Sequence, residues 1–174
     1  MTFIFKPIYE GNSNHTIEQF QVDTVHQKMY FTSNAFKVSD RKEKIEKEVI
    51  TSIKEIVRID DTYYGYASSG SCGLFKVSDK KTYWDSLFDV NKTQKNTFEG
   101  FSYFIKNVRG KSVAYNSKNK TIYYATNIGL FAVNPKSTKN ILWHKKTINL
   151  TQVVSYNHLV YGLTTNNQLI ASDQ

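Results

Sequence analysis

Apolar and polar positions along the chain recur as one short motif. Four segments line up: KMYFTSNAFKVSD (28–40), YGYASSGSCGLFKVSD (64–79), IYYATNIGLFAVN (122–134) and YGLTTNNQLIASD (161–173). Each is an apolar run, broken by a small polar turn, then a second run that opens on an apolar pair and stops at a polar residue, the pattern of a β-hairpin. The pairs Ala35–Phe36, Leu74–Phe75, Leu130–Phe131 and Leu169–Ile170 place their second members 39, 56 and 39 residues apart, a period of about 39 with one insertion.

Further apolar runs flank every hairpin. Upstream lie Ile17 to Asp23, Ile53 to Asp60, Ser112 to Asn116 and Thr151 to Asn157; downstream, Ile45–Ile50, Tyr83–Phe88 and Ile141–His144 follow the first three units. Four strands in about 40 residues is the arithmetic of a propeller blade. The expected fold is therefore all-β and β-propeller-like, one domain over 1–174, with four antiparallel blades at about 17–50, 53–110, 111–147 and 148–173. The last unit lacks a fourth run, which Phe3–Ile4–Phe5 can supply in a small closed ring. In the alternative reading those residues end an earlier blade, and the chain is a piece of a larger propeller. A closed ring predicts a monomer, favoured here over a dimer paired edge to edge.

Two stretches interrupt the scheme. Residues 41–50 carry helical spacing, with Ile45, Val49, Ile53 and Ile56 in phase and Glu43 four before Lys47, so a helix there competes with a strand. The β-branched run 53–59 favours a strand. The insertion at about 89–108 includes Phe98, Phe101, Tyr103, Phe104 and Ile105, which fit an extra outer strand.

Composition narrows the class. Aromatic residues are 14%, with 12 Tyr, 11 Phe and 2 Trp, which suits pleated, half-buried strands. The net charge of +8 comes from 20 Lys and 3 Arg scattered along the chain. Nucleic-acid binders concentrate charge on one face and favour Arg, so no nucleic-acid partner is expected. Cys72 is the one cysteine, which excludes an intrachain disulfide and a cysteine-based metal cluster. No run approaches 18 apolar residues, so no membrane span is expected.

The hairpin YYATNIGLFAVN resembles the two-component regulator propeller repeat at Thr126, Gly129, Leu130 and Phe131. Ser68, Gly73, Leu74 and Phe75 carry the resemblance in the second unit, and Thr165, Leu169 and Ile170 in the fourth. The first unit departs from it, one residue short and without glycine, and Tyr stands throughout where the repeat has Trp. The resemblance implies the sensor portion of a hybrid histidine kinase, periplasmic or extracellular, in a gut or environmental bacterium.

Residues with chemical potential have structural readings. His15, His26, His144 and His158 lack paired-ligand spacing, Asp60–Asp61 and Asp79 occupy turns that favour Asp, and SSGSCG (68–73) reads as a lengthened turn rather than a phosphate loop. Trp84 and Trp143 fall in outer strands as core residues. No catalysis, metal or cofactor is expected. The expected function is binding of a small molecule, a carbohydrate or another protein, with candidate contacts at the hairpin turns: Asn34, Ser69, Ser71, Asn127, Asn166 and Asn167. A protein–protein scaffold and a propeller hydrolase or lyase are the alternatives.

Overall fold

The computed structural model describes residues 19–23, 28–32, 35–39, 45–50, 53–67, 74–78, 85–86, 109–136, 141–157 and 159–172. Its elements are β-strands, and among the described residues no helix is long and apolar enough to cross a membrane. The chain groups into two compact units, Met1–Lys54 and Glu55–Gln174.

The first unit holds one sheet in the order β1 (Gln19–Asp23), β2 (Lys28–Thr32), β3 (Ala35–Ser39) and β4 (Ile45–Ile50), every pair antiparallel. Of the two readings of 41–50, the strand holds over 45–50, where Val49 pairs with Phe36 and Lys47 with Val38. Sheet pairing and β-branched Ile45, Val49 and Ile50 override the helical period, because a spacing of four also fits the two-residue period of a strand.

The second unit holds three sheets, each a run of antiparallel neighbours. Blade 2 comprises β5 (Ile53–Ile59), β6 (Thr62–Ala67), β7 (Leu74–Ser78) and β8 (Asp85–Ser86); blade 3 comprises β9 (Gly110–Asn116), β10 (Thr121–Thr126), β11 (Gly129–Val133) and β12 (Ile141–Lys145). Blade 4 has three described strands, β13 (Leu150–Tyr156), β14 (Leu159–Thr164) and β15 (Leu169–Ala171). The run expected at Tyr83–Phe88 is described as a strand only at Asp85–Ser86. The segments Phe3–Ile4–Phe5 and 89–108 lie outside the described residues.

Alternation along each strand sends successive side chains to opposite faces, and the two faces of blade 3 join two different cores. Val113, Ile122, Tyr124, Phe131 and Val133 pack with Val57, Ile59, Tyr64, Tyr66 and Leu74 of blade 2. On the opposite face Ala114, Tyr123, Ala125, Leu130 and Ala132 pack with Leu150, Val153 and Val160 of blade 4. Both middle strands of blade 3 are therefore buried along their whole length.

The repeat extends to backbone detail. Thr126 pairs with Gly110 and Ala125 with Ser112, leaving Lys111 as a bulge; Thr164 pairs with Leu150 and Leu163 with Gln152, leaving Thr151 as the same bulge. The bulged residues are tied down differently: Tyr66 Oη donates to the Lys111 carbonyl at 2.7 Å, and Thr151 Oγ1 donates to the Leu163 carbonyl at 3.1 Å. Asp60, Lys120 and Asn157 each take a left-handed conformation in the turn after a first strand, with φ of 52°, 55° and 53°.

Candidate functional site

Register assigns equivalence between blades 3 and 4 without ambiguity. Tyr123, Tyr124 and Ala125 pair with Ala132, Phe131 and Leu130, and Tyr161, Gly162 and Leu163 pair with Ala171, Ile170 and Leu169. Thr164 is thus the counterpart of Thr126, which corrects the match at Thr165 by one residue. In blade 2 Tyr66 pairs with Leu74, so counting from Leu74 puts Ala67, not Ser68, at the threonine position.

The threonines act alike. Thr126 is fully buried; its Oγ1 donates to the Gly129 carbonyl at 2.7 Å and accepts the Ile128 amide at 3.2 Å. Thr164 Oγ1 accepts the Gln168 amide at 3.0 Å. Gly129 takes φ of 120°, and a Cβ there would sit 2.4 Å from the Lys145 carbonyl oxygen, so glycine is required at that turn.

Of the candidate turn residues, Asn34, Ser69 and Ser71 lie outside the described residues. Asn127 is exposed yet occupied: its Oδ1 accepts the Arg109 amide at 2.6 Å, and its own amide donates to the Arg109 carbonyl at 3.0 Å. Asn166 and Asn167 are exposed in the β14–β15 turn, where Asn167 supplies the left-handed residue at φ of 60°. Asn127 and Asn167 thus have turn-forming work of their own.

The remaining candidates are structural as well. Asp60 meets Lys136 at 2.7 Å on the surface, which lowers its carboxyl through that hydrogen bond and the lysine charge. His144 is half-buried in β12; its ring stacks on Phe131 at 4.0 Å and Nε2 donates to the Ile128 carbonyl at 2.9 Å. Trp143 is half-buried, tilted against Tyr123 at 6.0 Å between ring centroids.

Among the described residues, a concave feature lies between blades 3 and 4. It is a cleft of about 280 Å³, with Tyr123, Leu130, Trp143 and Lys145 on the blade 3 side and Leu150, Val160, Gly162, Ile170 and Ser172 on the blade 4 side; Ile148 lines it from the connecting segment. Side-chain volume explains it. Between blades 2 and 3, Tyr66 and Tyr124 fill the interface with ring centroids 5.9 Å apart, backed by Phe131 at 6.4 Å from Tyr124. At the equivalent positions between blades 3 and 4 stand Ala125, Gly162 and Ile170, with Ser172 in place of Val133.

One exchange runs the other way. Gly110 lies against the Tyr66 ring and the Tyr124 hydroxyl, whereas its counterpart Leu150 lies against Gly162. The small and the large residue of the pair have swapped places, Gly110 with Tyr124 against Leu150 with Gly162, but Leu150 does not replace the volume lost from two tyrosines and a phenylalanine. Close packing fails there, and a hollow results.

No protein-family model matches the sequence, and no curated protein matches it. Solved structures do. The chain is similar to the crystal structure of a nidogen/laminin complex, with 13% identity and a TM-score of 0.62 over 91% of this chain and 59% of that one. It is similar to the Cps50 (Swd1) β-propeller domain of Myceliophteria thermophila, with 10% identity and a TM-score of 0.63 over 91% of this chain and 54% of that one. It is also similar to the extracellular domain of a protein named as a hybrid two-component system in B. thetaiotaomicron, with 11% identity and a TM-score of 0.62 over 91% of this chain and 22% of that one. The chain therefore spans about three fifths or less of each. Together with its all-antiparallel sheets, this likeness establishes the β-propeller fold.

Proposed function

We propose that the chain is a non-catalytic binding propeller, the sensor portion of a two-component regulator acting outside the cytoplasmic membrane, with its ligand in the hollow between blades 3 and 4. The hollow carries the reading: it is formed by the loss of packing residues on rigid strands, and it is mostly apolar with a few polar groups, the usual character of a ligand site. The sensor part draws support from the similarity to the extracellular domain of a two-component system.

Amide and indole NMR during a fragment screen tests the location. Saturable shifts at Trp143 and Gly162 are expected. Shifts confined to Asn127, Asn166 and Asn167 move the site to the turns, and shifts at neither set overturn the reading. Assays with ester, phosphate and glycoside substrates, with and without divalent metal, should stay at background. Turnover abolished by replacing a single His or Asp makes the chain an enzyme instead.

A second reading, a protein–protein scaffold, has its own observation. Val154 and Tyr156 of β13 are 47% and 68% exposed, although their register counterparts Ala114 and Asn116 are buried. Exposed apolar side chains on one face suit a protein partner, as does the similarity to a structure of a nidogen/laminin complex.

A further inference from the structure

We infer that the hollow between blades 3 and 4 takes a small amphiphilic anion: a flat apolar body bearing one carboxylate. The inference rests on the reading of that hollow as the ligand site and adds the chemistry of the ligand.

Three features set that chemistry. The volume of about 280 Å³ lies just below the range of roughly 300–1,000 Å³ common for ligand pockets, which selects a compact ligand. Tyr123 and Trp143 present ring surface beside aliphatic walls. The Tyr123 hydroxyl accepts Asn119 Nδ2 at 2.9 Å. A flat apolar body regains the contacts that Tyr124 and Phe131 make in the filled interface.

Charge sets the remainder. Among the described residues lining the hollow, Lys145 carries the one full charge; it is exposed, with Nζ 5.4 Å from the Trp143 ring centroid. An ammonium at the edge of an apolar cleft is matched by an anion whose head reaches solvent while its body is buried. A single lysine, without a second cation, suits a monoanion better than a phosphate dianion. Ser172 Oγ accepts the Val160 amide at 3.1 Å and still has a proton to donate to a carboxylate.

The test uses 3-phenylpropionate and its neutral counterpart 3-phenylpropan-1-ol as probes, titrated into the full chain. The two tryptophan indole resonances are assigned with Trp84→Phe. The Trp143 resonance should shift saturably with the acid, and the alcohol should bind at least about fivefold more weakly. Lys145→Gln should bring the acid to the level of the alcohol and leave the alcohol unchanged. Ile170→Phe, which restores the residue type of Phe131, should weaken both probes at least about tenfold while holding or raising the melting temperature.

Equal binding of acid and alcohol, with Lys145→Gln silent, overturns the anion and leaves the hollow as the site. Absence of binding by either probe, or binding indifferent to Ile170→Phe in a folded variant, overturns the site itself and the anion with it.

Discussion

At the scale of single residues, equivalent positions share a task while their chemistry differs. Glu55 Oε2 accepts the Val113 amide at 2.7 Å, joining β5 to β9. Ser112 Oγ accepts the Val153 amide at 3.1 Å and donates to the Val153 carbonyl at 3.3 Å, joining β9 to β13. Glu55 is the ionisable version of this latch. Burial pushes its carboxyl above the ordinary value, against the opposing hydrogen bonds from Val113 and Ser112. The folded state therefore binds that proton more tightly than the unfolded chain, so this group adds stability as pH falls through the raised value and levels off below the ordinary one. Glu55→Gln keeps an acceptor oxygen and removes the titration. The stability of wild type minus that of the variant, from urea unfolding, should therefore rise from about pH 7 toward about pH 4. A flat or falling difference contradicts the assignment.

At the scale of elements, Leu150 and Gly162 form one unit of packing. A Cβ on Gly162 would lie 2.7 Å from both Leu150 methyl carbons. Gly162→Ala should cost about 1–3 kcal/mol by overpacking, and Leu150→Ala about 2–5 kcal/mol by loss of a buried side chain. The double variant should fall short of their sum by about 1 kcal/mol or more, measured by chemical denaturation; strict additivity would deny the contact. The same pair shows why the strands were legible in the sequence and the hollow was not. Alternating apolar runs mark β4, β5 and β12 almost to the residue, since pleating needs only the pattern. The hollow depends on register. Matching Thr165 to Thr126 sets Leu163 against Tyr124 and hides the empty place, whereas the β14–β15 turn, one residue longer than the β10–β11 turn, sets Gly162 there. Once Thr164 takes the threonine column, the signal is plain in the letters: Tyr124, Phe131 and Val133 give way to Gly162, Ile170 and Ser172. Asn127, Asn166 and Asn167 lie in turns as expected, but sequence could not show that Asn127 spends its side chain on the Arg109 amide. The helical period left 41–50 open between helix and strand because nothing local records that β3 is waiting to pair with β4.

Across the second unit, the packing gradient sets an order of local stability. The middle strands of blade 3 are buried from end to end, while Leu169, Ile170 and Ala171 of β15 are all exposed and blade 4 borders the hollow. Amides of β14 and β15 should exchange with deuterium well before those of β10 and β11, by about tenfold or more under native conditions. Equal protection would mean that the two interfaces hold equally well despite their different filling.

The latch from Glu55 to Val113, repeated from Ser112 to Val153, also has a direction. The side-chain acceptor belongs to one blade and the backbone donor to the next, so blade 3 offers an outgoing half and an incoming half of the same joint, and Gln152 stands exposed at the outgoing position of blade 4. A gene duplication of one period, in phase, would carry its own joint at both ends and could lengthen the array without inventing a contact. A copy inserted out of phase would break the joint on both sides and set acceptor against acceptor. The ancestry of such a chain is thus constrained by the grammar of one hydrogen bond, which permits repetition and forbids reversal.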